Sequence, residues 1–171
     1  METSDLIINK VAESGLITID LSRYIPEGDI ITFDITPHLF QGLILKEKDF
    51  RAFVKENDWN IYEGKNVAVI CSADAIVPTW AYMLLATKLN PLVYNMIFGN
   101  EETLSTLLFD VAIKKIDFSI YKDQRIVIKG CSDPRIPVSA YVSLTASLMP
   151  IAKSIMYGEP CSTVPLYKRR D

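Results

Sequence analysis

Histidine is nearly missing from this 171-residue chain, with one copy, His38. Cysteine is scarce at three copies and glycine sparse at seven. A Ser-His-Asp or Cys-His constellation would have to rely on His38 alone, and none is readable around it. There is no GxGxxG and no GxxxxGK, so no phosphate-cradling loop is expected. Polar or turn residues break every apolar run before it reaches membrane-spanning length. The opening METSDLIINKVAESG has no basic stretch followed by an apolar one, so no signal peptide is expected and a cytoplasmic location is. The formal charge is −3, and the one basic cluster, Lys168 to Arg170, lies at the terminus. Nucleic-acid binding is therefore not expected, and the cluster reads as a solvated tail. An odd number of cysteines in a reducing compartment fits poorly with a disulfide framework, which leaves the thiols free or bound to metal.

What remains is an ordinary globular composition, 49% apolar and 23% charged, long enough for one domain with a full core. The reading is a single α/β domain over 1–171, with a lead-in over 1–15 and an irregular, folded-back tail over 159–171. Two β-branched runs, Leu16 to Leu21 and Ile30 to Ile35, flank PEGD and read as an N-terminal β-hairpin. KEKDFRAFVKENDW carries Phe50, Phe53 and Val54 at helical spacing, and the charges of Glu47 to Asp49 suit a helix start. NVAVICS reads as a strand buried on both faces, LVYNMIFG as another buried strand and RIVIKG as the next strand. PTWAYMLLATKL and PVSAYVSLTASL read as helices opened by Pro78 and Pro137 and stopped at Pro91 and Pro150. IAKSIMYG is a helical turn or a strand. NEETLSTLLFDVAIKKI is a helix capped by Asn100. The alternation predicts a mostly parallel sheet with helices on both faces.

The sequence also repeats itself. Asp74 matches Asp133 at an offset of 59 residues that holds through Gly99 and Gly158. The pairs Pro78/Pro137, Ala81/Ala140, Tyr82/Tyr141, Leu85/Leu144, Leu89/Leu148 and Pro91/Pro150 are identical along the way. A one-residue gap ahead of this span aligns Cys71-Ser72 with Cys131-Ser132, and CSTVP repeats the opening at Cys161. Shared folding constraints explain the prolines, alanines and glycines of the repeat. They explain the cysteines less well, because a core position accepts valine or alanine as readily. Tyr82, Tyr141 and Trp80 read as helix-to-sheet packing.

Cys71 and Cys131 each follow a strand, which puts them at the carboxyl edge of a parallel sheet, where open α/β sheets place ligands. Cys161 lies in the tail that could fold over that edge. Three converging thiolates would suit zinc or an iron–sulfur cluster. Spacings of 60 and 30 residues match no metal signature, however, and there is no CxxC. Asp34, His38, Asp74, Asp133 and Glu159 are the candidate further ligands. Asp74 and Asp133 are equally candidates to cap helices, and a lone histidine beside a proline is more often a loop residue. Two other uses stay open. Cys71 or Cys131 could serve a thiol-based enzyme or sulfur carrier, or the cysteines could be structural residues of an interaction module.

GLILKEKDFR, CSADAIVPTWAYMLLA, VIKGCS and GEPCSTVPLY together resemble the bacterial family catalogued as domain of unknown function 2480, over Leu16 to Lys168. The resemblance implies cysteines at positions 71, 131 and 161 and an aspartate at position 34, with other residues at position 38. The expected metal set is therefore Cys71, Cys131, Cys161 and Asp34. The resemblance assigns no activity. It implies an accessory role beside iron–sulfur assembly proteins, as partners, because family members are expected to be encoded next to that machinery.

Overall fold

A computed structural model describes residues 15–130, 133–159 and 161–170. Cys131 and all of the expected lead-in except Gly15 lie outside the described residues. The fold is mixed α/β with mostly parallel strands, in two compact units. The middle unit comprises residues 26–108; the terminal unit comprises the described residues up to Ile25 and from Phe109 onward.

The chain begins with β1 (Leu16–Asp20), which belongs to the terminal unit. Its counterpart in the middle unit is β2 (Ile30–Asp34), which pairs in parallel with β3 (Asn66–Ile70). On its other side β3 pairs in parallel with β4 (Asn95–Phe98). Val67, Ala68 and Val69 of β3 are fully buried, as a continuous apolar run predicts for a strand covered on both faces. Val67 and Val69 join the cluster built from α1 (Glu47–Glu56) and α2 (Thr79–Leu89), through Phe50, Val54, Ala81, Leu85 and Leu89. Ala68, on the alternate face, packs with Leu104 and Leu108 of α3 (Glu101–Lys114). Asn100 caps α3 as expected, its Oδ1 accepting from Thr103 N at 2.9 Å. One buried polar side chain, Asn66, is fully used: its amide donates to the carbonyls of Glu27 and Gly28, and its Oδ1 accepts from Asn95.

The terminal unit has the strand order β1, β5 (Arg125–Lys129), β6 (Ser154–Glu159), β7 (Ser162–Lys168). The first three are parallel, with α4 (Val138–Leu148) connecting β5 to β6. The two strands expected as a hairpin are thus present, yet each pairs in parallel with a strand far along the chain. The tail expected to be irregular is the antiparallel strand β7, paired with β6. Its Pro165 is tolerated because β7 is the last strand of the sheet and a register shift falls opposite Ile155/Met156. Arg169 of the expected solvated cluster binds Asp123 at 2.6 Å.

The two units are copies of one plan, and the copy runs further than the sequence repeat suggested. The strands β3/β5, the helices α2/α4 and the strand starts of β4/β6 all lie 59 residues apart. So do the 3-10 turns Trp59–Tyr62 and Phe118–Tyr121 before β3 and β5. So do Gly64 and Asp123, both with positive φ. The same offset matches α1 with the second half of α3: Phe50 with Phe109 and Val54 with Ile113, all four buried. Tyr82 packs edge-on against Phe98, as Tyr141 does against Tyr157. No gap separates strand from helix, so the alignment of Cys71 with Cys131 is corrected. The residue matching Cys71 is Gly130, and Cys131 matches Ser72.

Gly130 is itself a fixed point. Its φ is +136°, and a Cβ there would lie 3.0 Å from Ile136 Cδ1 and 3.1 Å from Leu21 Cβ. Gly130→Ala is therefore expected to lose about 1–3 kcal/mol of stability in urea unfolding, from backbone strain and crowding together.

Candidate functional site

The carboxyl edge of the middle unit gathers the polar groups. β2 ends in Asp34 and β3 in Ile70, directly paired, so the segments after the two strands emerge side by side. Asp34 Oδ1 accepts from Thr36 N at 3.0 Å, closing the chain into a short turn, and from Ser72 N at 3.1 Å. Asp34 Oδ2 accepts from Ser72 Oγ. Thr36 Oγ1 receives Ser72 N at 2.9 Å and Ala73 N at 3.1 Å. Two side chains from one strand end thereby pin the backbone of residues 72 and 73 after the other.

Cys71 lies where this pinned segment begins, half-buried. Its thiol donates to the Ala73 carbonyl at 3.4 Å, and Thr36 Oγ1 lies 3.7 Å from Sγ. The phenol of Tyr82 is held above its ordinary pKa by burial and by the charges of Cys71 and Asp34. Burial raises the Asp34 carboxyl, but hydrogen bonds from Ser72 and Thr36 outweigh it and hold the pKa at about 2.

Of the residues expected to form one site, Asp34 and Cys71 belong to the middle unit and Cys161 to the terminal unit. Asp34 and Cys71 share this edge through Thr36 and Ser72. Cys161 is exposed in the turn between β6 and β7 of the terminal unit. Cys131 lies outside the described residues. Among the described residues no group of three or more His, Cys, Asp or Glu side chains is arranged to hold a metal, so the expected three-cysteine centre with zinc or a cluster is unsupported. Asp34, its expected fourth ligand, is occupied by three donors: the backbone N–H groups of Thr36 and Ser72 and the Ser72 hydroxyl. His38 is stacked on Phe53, ring centroids 3.6 Å apart, and burial lowers its pKa against the opposing charge of Asp34.

Neither aspartate caps its helix. Pro78 and Pro137 occupy the cap positions of α2 and α4 without side-chain bonds. Asp133 instead takes a two-point contact from Arg135, at 3.0 and 2.7 Å, and Asp74 is exposed. Glu159 pairs with Lys129 at 3.1 Å. Thr36 and Ser72, which position Cys71, were not singled out from the sequence. The signal was the Asp-x-Thr spacing, which recurs as Asp20-x-Ser22 at the end of β1.

The chain belongs to the family described as protein of unknown function (DUF2480), whose model matches residues 5–169. No curated protein and no solved structure matches it. No helix among the described residues is long and apolar enough to cross a membrane.

The depressed pKa of Asp34 has a definite pH signature. Its folded value, about 2, lies below the ordinary 3.8, so its contribution to stability is present above pH 3.8 and is lost as pH falls through about 2. Asp34→Asn is expected to lower stability at neutral pH and to flatten the acid limb of a stability–pH profile. An unchanged acid limb counts against the network.

Proposed function

We propose that Cys71 is the reactive group of a thiol-based function carried out at the carboxyl edge of β2 and β3, as an acceptor of sulfur or of an acyl group. The observation that carries this reading is the internal copy. The matching position in the terminal unit is Gly130, where a positive φ and close neighbours make any side chain costly. The plan of the fold therefore does not require a thiol at this place, although Cys71 also packs against the margin of the middle unit's core. Support also comes from location. Cys71 is partly accessible, beside a hydroxyl and near a phenol, on the edge where parallel sheets bind ligands. Asp34 and Thr36 would hold the backbone that follows it, and Tyr82 would supply a hydrogen bond to an incoming group.

Oxidised glutathione is a direct probe of such a group. Attack by the thiolate of Cys71 forms a mixed disulfide and releases one glutathione thiolate. Peptide mapping is expected to find the adduct on Cys71, formed at least about threefold faster than on exposed Cys161, and slowed similarly in Thr36→Val. Reaction of Cys71 no faster than Cys161 overturns the reading. Metal binding with zinc or an iron–sulfur cluster, and service to iron–sulfur assembly proteins, would use the same thiol but require Cys131 and Cys161 to join it. About one equivalent of zinc or iron in anaerobically purified protein, lost in Cys71→Ser, would replace the thiol reading with the metal one.

A further inference from the structure

The two units diverge at a second place, away from the thiol. In the middle unit the ring of Phe53 lies on His38, 3.6 Å between centroids and 24° between planes, and Tyr62 and Trp59 complete the cluster. The matching residues of the terminal unit are Ala112 for Phe53 and Tyr121 for Tyr62, at the 59-residue offset, and Tyr24 for His38, at the 14-residue offset that sets β1 against β2. A methyl thus stands where the other copy has a phenyl ring. The terminal unit has an open cleft there of about 490 Å³, with Ala112, Tyr24 and Tyr121 in its lining. That volume falls within the ~300–1,000 Å³ typical of small-molecule sites.

The rest of the lining points to a ligand class. Ile116 and Ile120 supply aliphatic surface, and Tyr24 is hydrogen-bonded to Tyr121. Arg23 and Lys115 bring two positive charges. Their counterparts in the filled copy are Pro37 and Glu56, so the open copy is cationic where the closed one is not. Among the described residues neither Arg23 nor Lys115 is in an ion pair, although Arg23 contributes to the field at Asp20. The single carboxylate of the lining, Asp117, is engaged by Ser119, whose N and Oγ donate to it at 3.0 and 2.6 Å.

We propose that this cleft binds a planar aromatic or heteroaromatic anion. The ligand's ring takes the place against Tyr24 that Phe53 takes against His38, and its carboxylate or phosphate pairs with Arg23 and Lys115. The cleft is independent of the role of Cys71, since every lining residue belongs to the terminal unit.

The test titrates the full chain with naphthoate and with adenosine monophosphate, followed by amide chemical shifts. Naphthalenemethanol serves as the uncharged control and cyclohexanecarboxylate as the non-planar one. At least one aromatic anion is expected to bind with Kd below ~1 mM, and both controls about tenfold more weakly. Ala112→Phe, which rebuilds the closed copy, is expected to abolish binding, and Lys115→Glu to weaken it about tenfold and remove its salt dependence. The proposal is overturned if neither anion binds, if the alcohol binds equally well, or if binding survives Ala112→Phe. Should Ala112→Phe not fold, the exposed pair Arg23→Ala and Lys115→Glu decides: undiminished binding overturns the proposal, and loss with an intact fold upholds it.

Discussion

Each unit depends on one central strand buried on both faces. Val67 to Val69 and Ile126 to Ile128 exclude water completely or nearly so. Their backbone polar groups can therefore be satisfied only by neighbouring strands, which pair on either side. That constraint brings β2 beside β3 and β1 beside β5. It also brings the segments after those strands to one edge, with their first residues adjacent. The polar edge of the middle unit is the direct result: Asp34 and Thr36 arrive on one strand end, and Cys71 and Ser72 on the next.

Duplication turns the protein into its own control. Where the copies agree, the residue serves the fold. The Tyr82/Phe98 and Tyr141/Tyr157 pairs, Phe50 and Phe109, and the paired positive-φ residues Gly64 and Asp123 are of this kind. Where they differ, the fold has left a choice open. Cys71 against Gly130 and Phe53 against Ala112 are two such differences, one placing a thiol and the other opening a cleft.

Much of this was legible in the sequence, for reasons tied to particular residues. The apolar runs of β3 and β5 announce strands because nothing else buries both faces over so short a length. Pro78, Pro137, Pro91 and Pro150 bound two helices because proline cannot continue them. Pairing was not legible: Leu16 to Leu21 and Ile30 to Ile35 look like a hairpin because they are neighbours in sequence, whereas their partners lie beyond a helix or more. β7 was hidden by Pro165, which is acceptable only on an edge. The cysteines were matched by type across a gap, although the burial of the flanking strands holds a constant register and sets Cys71 against Gly130. The hold of Thr36 and Ser72 on the Cys71 segment was invisible because those residues lie 36 positions apart and meet only through strand pairing.

The central claim is that the fold does not depend on the Cys71 thiol, which packs at the margin of the middle unit's core. Urea unfolding of Cys71→Ala measures it most directly. A stability within about 1 kcal/mol of the parent is expected. A loss of about 2 kcal/mol or more, the size expected when a packed side chain leaves a cavity, would show that the thiol belongs to the core and contradict the claim.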